Sequence, residues 1–199
     1  MSEEIVDLVF PLHGEAVALD YADLLWRALA PQLPWLADEP AAGVHPLAGV
    51  SPGDRQLYLT RRAKMTLRLP AARAESAKAL SGARLDVGGI VEVGVASLRP
   101  LSKITTLYSS FVALGIERED EFMAACAAHF KAAEIPVELV CGKARVAHGR
   151  EGSWQGYSLM LFGLNVDNSL RVQREGLGGE RKRGCGIFIP HKSVAPVSE

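Results

Sequence analysis

The sequence predicts an α+β chain built from two successive βαββαβ units. Three observations carry that reading. Apolar stripes at helical spacing stand between strand-like segments, paired period-two segments suggest hairpins, and the same order of elements occurs twice. A chain of 199 residues with 48% apolar content allows one large or two small packed domains.

Ile5 to Leu12 reads as a strand, with Pro11 favouring an edge or a strand end, and His13-Gly14 turns the chain. Asp20 can cap a helix through about Leu36, because Tyr21, Leu24, Leu25, Ala28 and Leu29 form one apolar stripe. Pro31 and Pro34 break or kink its end. Asp38 to Asp54, rich in proline and glycine, is expected to be a loop. Gln56 to Arg61 and Lys64 to Leu69 alternate at period two and are expected to pair as a hairpin. Pro70 starts an alanine-rich helix that Gly82 ends, and Arg84 to Leu98 is strand-like around a Gly88-Gly89 turn.

The second half follows the same plan. Ile104 to Leu114 reads as a strand, and Arg118 to Glu134 as a helix with Phe122, Cys126 and Phe130 on one face. Val137 to Val146 and Tyr157 to Leu164 make a hairpin with a basic, glycine-containing tip. Asp167 can cap a short helix through Glu175, and Ile187 to Pro190 is a last short strand. The fold class is therefore two tandem ferredoxin-like folds, the order that RNA-recognition modules also use. The boundary falls between Ala96 and Lys103, giving domains of residues 1–98 and 99–199.

Composition narrows the function. The formal net charge of −1 means that any nucleic-acid surface is a local one. Three cysteines without a CxxC pair, and no signal peptide before Ile5, lead to the expectation of free thiols in a reducing cytoplasm. No apolar run approaches the roughly 18 residues of a membrane span. No paired-carboxylate, H-x-x-x-H or CxxC motif suggests a metal, and no cofactor is expected. The acidic cluster Glu117, Glu119, Asp120 and Glu121 opens a helix, where it complements the dipole.

Five of the eleven residues from Gly176 to Gly186 are glycine, with Arg181, Lys182 and Arg183 at the centre. The loop follows a helix and precedes a strand, the reverse of a dinucleotide fingerprint. Cys185-Gly186 after Gly184 also rules out a P-loop. On physics alone a phosphate-binding loop and a flexible connector with solvated cations both remain open. Cys185 is expected to be small packing between glycines rather than a nucleophile.

The string Gly176-Leu177-Gly178, five residues rich in Lys and Arg, then Gly184-Cys185-Gly186 fits G-h-G-x5-G-h-G, where h is apolar. It resembles the signature loop of the CRISPR-associated endoribonucleases of the repeat-associated mysterious protein superfamily, which lies before the final strand. His45-Pro46 and GCGIFIPHK look most like the myxan-type branch of type I systems. The resemblance implies metal-independent cleavage of precursor CRISPR RNA within its repeats. The 2′-OH attacks the adjacent phosphate, leaving a 2′,3′-cyclic phosphate and a 5′-OH. The implied partners are the repeat RNA and other subunits of a CRISPR effector complex, with the protein a monomer or homodimer.

That chemistry needs a base, an acid and a cation near the phosphorane. The family often uses a histidine near the end of the first helix or just beyond, which selects His45. His13, in the first strand-to-helix turn, is the second candidate, and Tyr21 a possible partner that also starts the apolar stripe. His129 reads as structural, while His148 and His191 read as RNA contacts, His191 alternatively as part of a solvated tail.

Positive charge concentrates in three stretches: Arg61, Arg62, Lys64 and Arg68; Lys143, Arg145 and Arg150; and Arg171 to Lys192. The last holds six Lys or Arg against two acids. The expected RNA contacts are Arg61, Arg62, Lys64, Lys143, Arg145, His148, Gly176, Gly178, Gly179, Arg181, Lys182, Arg183, Gly184 and Gly186. For each patch a solvated face is the alternative. Trp154 and Tyr157 could stack on a base, with core packing open for Tyr157. A non-catalytic RNA-binding subunit on the same fold, and a small-ligand regulatory domain, are the rival readings; Arg181, Lys182 and Arg183 argue against the latter.

Overall fold

A computed structural model describes residues 3–191. The first half runs β1 (Ile5–His13), β2 (Ala16–Ala18), α1 (Tyr21–Leu29), β3 (Gly43–Val44), β4 (Gln56–Tyr58) and β5 (Lys64–Pro70). It continues with α2 (Ala74–Ala77), β6 (Arg84–Asp86), β7 (Ile90–Val93) and β8 (Ser97–Pro100). The second half is β9 (Leu107–Ala113), α3 (Glu119–Ala132), β10 (Glu138–Gly149), β11 (Gly152–Phe162), α4 (Val166–Glu175) and β12 (Ile189–Pro190). No helix among the described residues is long and apolar enough to cross a membrane.

Both halves have the ferredoxin-like strand order. In the second, the sheet reads β10-β11-β9-β12. In the first, β8, β1, β5 and β3 lie side by side, and the β6-β7 hairpin joins the far end of β1 through Leu12 and Val93. The second strand of the first fold is thus the two-residue β3, inside the segment expected to be a loop. The expected hairpin between Gln56–Arg61 and Lys64–Leu69 does not form. β4 pairs with β2 instead, Val17 opposite Leu57, while β5 pairs with β1 and β3.

Local chemistry explains the other shifts. α1 ends at Leu29, and the chain makes only a short 3-10 turn over Pro34–Leu36, because a residue before proline is disfavoured in the helical region. The alanine-rich segment holds a single α turn between two 3-10 turns. α4 is capped by Asn165, whose side chain accepts from the Asn168 amide at 2.8 Å, rather than by Asp167. The β10-β11 hairpin is longer than expected and pairs out to Gly149 and Gly152, with Arg150 and Glu151 as its tip.

Two cores form. Leu8, Phe10, Leu12, Leu25, Leu29, Met65, Leu67 and Leu69 belong to the first, and Leu107, Phe122, Cys126, Phe130, Leu159 and Phe188 to the second. Tyr157 packs in the second core against Phe122, with its hydroxyl donating to the Glu117 carbonyl. The core reading of that residue therefore holds.

Candidate active site and RNA-binding groove

The period of two sorts the residues of the first sheet onto two faces. Leu8, Phe10 and Leu12 point into the core with Met65, Leu67 and Leu69. Asp7 and Arg68 are cross-strand partners on the opposite face. His45 follows β3 directly, and its amide donates to the Thr66 carbonyl at 2.9 Å, which carries it onto that same face beside Asp7.

Arg68 is fully buried there. It donates to both carboxylate oxygens of Asp7, Nε at 2.8 Å and Nη2 at 2.9 Å. Its Nη1 donates to the carbonyls of Gln173 at 2.9 Å and Phe188 at 2.7 Å, both in the second fold. The fork of the guanidinium therefore joins the two folds directly behind His45. Asp7 Oδ1 lies 3.4 Å from His45 Nε2. That distance is long for a hydrogen bond, and Nε2 is buried with no other partner among the described residues, so the contact is a weak one.

Burial alone would raise the Asp7 carboxyl, but the His45 ring and the Arg68 guanidinium outweigh it and hold Asp7 well below the usual carboxylate range. Burial pulls the His45 ring below its ordinary value; Asp7 opposes this and Arg68 reinforces it. The imidazole is therefore neutral at pH 7, the form a general base requires.

His45 opens into a cavity of about 410 Å³ whose polar walls are Thr60, Arg62, Lys64 and Thr66. A second cavity, of about 540 Å³, adjoins it and shares Pro46, Ala48 and Gly49. Tyr21, Phe111, Arg145, His148 and Arg183 line it, so it runs between the first fold and the long hairpin of the second. Together the two make one groove with the histidine at one end and basic side chains along its length.

The glycine-rich loop lies beside this groove, which Arg183 helps to line, but its three cations are committed to oxygens of the protein itself. Arg181 donates to the carbonyls of Arg174 at 3.0 Å and Glu175, which end α4, and to Ala41 at 3.4 Å. Lys182 Nζ reaches the carbonyls of Glu39 at 2.6 Å and Ala42 at 3.1 Å. Arg183 pairs with the buried Asp23 of α1 at 2.9 Å and with Glu180 at 2.7 Å, and its guanidinium lies over the Trp154 ring at 5.4 Å. Burial, with Arg68 nearby, lowers the Arg181 guanidinium to about 10, still charged at neutral pH. Carbonyls of residues 39–42 immediately precede β3, so Arg181 and Lys182 fix the strand that carries His45. This corrects the expectation of three cations open to a polyanion: two spend their donors on backbone oxygens and the third on carboxylates.

Glycine is required in this loop for space as well as conformation. Gly178 has φ 81° and a Cβ there would stand 2.6 Å from the Ala113 carbonyl. Gly186 has φ 64° and a Cβ would overlap the Leu177 carbonyl. Gly186→Ala is expected to cost at least about 1–3 kcal/mol from backbone strain alone, read as a lower midpoint in thermal unfolding. An unchanged midpoint would mean that the loop relaxes freely.

The other candidates separate. His13 is the exposed last residue of β1, opposite Glu92, and lines neither cavity. Tyr21 lines the second cavity rather than touching His45; its hydroxyl accepts from the Leu47 amide at 2.7 Å, and burial pushes it up to about 12. Arg62 and Lys64 line the cavity of His45, and Arg145 and His148 the adjoining one. Arg61 and Lys143 are exposed without ion pairs among the described residues. Gly179 faces open space, and Gly176 and Gly184 take left-handed conformations that shape the loop. His129 lies on the exposed side of α3 against Phe130, and Lys192 falls outside the described residues. Arg68, counted in a basic surface patch, is instead wholly interior. Asp7 escaped notice, although a carboxylate alternating with Val6 and Leu8, and an arginine inside KMTLRL, were cross-strand signals.

Comparison with known proteins agrees with this architecture. A family model described as Cas6 Crispr matches residues 6–193. A Myxococcus xanthus (strain DK1622) protein named CRISPR-associated endonuclease Cas6 is 36% identical over 194 residues, spanning 96% of this chain and 84% of that one. Among solved structures, an RAMP protein binding different RNA substrates superposes with TM-score 0.67 at 10% identity, covering 95% of this chain and all of that one. Thermus thermophilus Cse3 bound to an RNA representing a pre-cleavage complex gives TM-score 0.55 at 13% identity, over 93% and 98% of the two chains. At these identities the structural likeness concerns the tandem fold. With the family match running from the first strand past the glycine-rich loop, the chain belongs to the Cas6 CRISPR family.

Proposed function

We propose that this chain is an endoribonuclease that cuts precursor CRISPR RNA within its repeats, without a metal, using His45 as general base. The observation that supports this most directly is one cavity lined by a neutral, largely buried imidazole together with Arg62 and Lys64. The first fold, which runs through β8 and so past the expected boundary at residue 98, supplies the base. The second, from β9 onward, supplies Lys143, Arg145 and His148 on the hairpin that walls the groove.

In this reading the scissile phosphate sits at the mouth of the cavity against Arg62 and Lys64. His45 takes the 2′-OH proton, O2′ attacks phosphorus, and the bond to the 5′ oxygen breaks. Arg62 and Lys64 meet the charge that builds on the phosphorane. Lys64 hands a proton to the departing oxygen. The products are a 2′,3′-cyclic phosphate and a 5′-OH.

The test is cleavage of the cognate repeat RNA in excess EDTA with analysis of both ends. A cyclic phosphate and a free 5′ hydroxyl are expected; a 5′-phosphate product, or dependence on added metal, would overturn the mechanism. Binding without any cutting would favour a non-catalytic subunit.

The pH profile gives a second check. The acidic limb of kcat/KM reports the free enzyme's base. Because burial holds His45 below its ordinary 6.5, the midpoint of that limb should fall below pH 6.5. An inflection at or above 6.5 would assign the limb to another group.

A further inference from the structure

We infer that Asp7 is a positioning residue that sets the tautomer of His45, so that Nε2 carries the proton and Nδ1 is the base presented to RNA. This rests on the reading of His45 as the base.

The geometry leaves the ring one arrangement. Asp7 is ionised at every physiological pH and can only accept hydrogen bonds. The nitrogen that faces it is Nε2, at 3.4 Å. That nitrogen is buried and meets no other described group, so only a proton on Nε2 makes the contact favourable. Asp7 is itself held in place, because Arg68 grips both of its oxygens while donating its remaining nitrogen to Gln173 and Phe188. The main chain that carries the ring is anchored by the bond from the His45 amide to Thr66. Nδ1 is not among the buried unpartnered atoms and bonds to no described group, while His45 lines the cavity of Arg62 and Lys64. Nδ1 is therefore the ring nitrogen left to meet a 2′-OH in that cavity.

The charges around the ring fit the same division of labour. Arg68 and Arg181 disfavour a positive imidazole in the resting protein. When Nδ1 accepts the 2′-OH proton, the imidazolium gains a full ion pair with Asp7 through Nε2–H. The 3.4 Å contact then has reason to shorten. Asp7 neither takes nor gives a proton in the step.

The experiment is nitrogen NMR of the full chain carrying ring-labelled histidine, with the His45 signals identified by their loss in His45→Ala. At pH 7.5 the expected pattern is a protonated Nε2 and an unprotonated Nδ1. A ring protonated on Nδ1, or a fast mixture of tautomers, would overturn the inference. Asp7→Asn is expected to shift the ring toward the other tautomer and to slow single-turnover cleavage by about 10²-fold, with RNA affinity retained. Cleavage at the wild-type rate by D7N would also overturn it. Should D7N fail to fold, the wild-type spectrum decides alone. If His45→Ala cleaves normally, the assignment of the base fails whatever the tautomer, which separates the two claims.

Discussion

Replacing Arg68 with methionine is expected to destabilise the folded protein by about 3–5 kcal/mol, the usual cost of breaking a buried pair and leaving one charge behind. Arg68 is wholly buried and serves both Asp7 and two carbonyls of the second fold. Its loss strands a carboxylate and two acceptors at the joint between the folds. For a protein of this size each kcal/mol moves the midpoint by about 2–4 °C, so the thermal transition should fall by roughly 10 °C. The double variant Asp7→Leu with Arg68→Met removes both charges and should recover part of that loss. A double variant no better than the single one would mean that the carbonyl contacts, not the ion pair, hold the joint.

The same pair predicts an acid dependence. Asp7 has its folded pKa depressed below the ordinary value of 3.8. Its stabilisation is therefore complete above that value and is lost as pH falls below it toward the folded value. Arg68→Met removes one source of the depression, so the gap in stability between wild type and variant should narrow below about pH 4. Chemical denaturation at pH 7 and pH 3 measures it.

The second large effect is catalytic. His45→Ala should slow single-turnover cleavage by about 10²–10⁴-fold, the range for a positioned general base. RNA affinity should change little, because Lys143, Arg145, Arg62 and Lys64 keep their charge and exposure. The variant should also fold normally: the bond from residue 45 to Thr66 is made by the main chain, and alanine retains it. Removing Nε2 takes away only the weak 3.4 Å contact with Asp7, whose two bonds to Arg68 remain.

Much of the second fold was legible because its signals are local. Phe122, Cys126 and Phe130 mark the buried face of α3 by spacing alone, and all three are buried. The long hairpin follows from alternation on both sides of a polar tip, though its ladder outruns the apolar residues. The first fold was harder because alternation names a face and not a partner. Leu57 alternates correctly, yet its strand pairs with β2. β3 left no pattern at all: Gly43 and Val44 sit among prolines and glycines and become a strand only because β5 offers an open edge.

The site shows the same division. His45 was selected by residue type and its place after the first helix, whereas its setting depends on contacts far along the chain. Arg68 meets Gln173 and Phe188, and Lys182 meets Glu39 and Ala42. No spacing rule reaches across such separations. The triplet at 181–183 was legible as charge, but charge alone does not say whether it faces solvent or backbone oxygens.

The central claim is that His45 is the base of a metal-free RNA cleavage. The most direct measurement is single-turnover cleavage of the cognate repeat RNA in EDTA by wild type and His45→Ala, with binding measured on the same samples. The account predicts rapid wild-type cleavage to a 2′,3′-cyclic phosphate and a variant that binds normally but is slower by about 10² or more. Equal rates for the two proteins would contradict it.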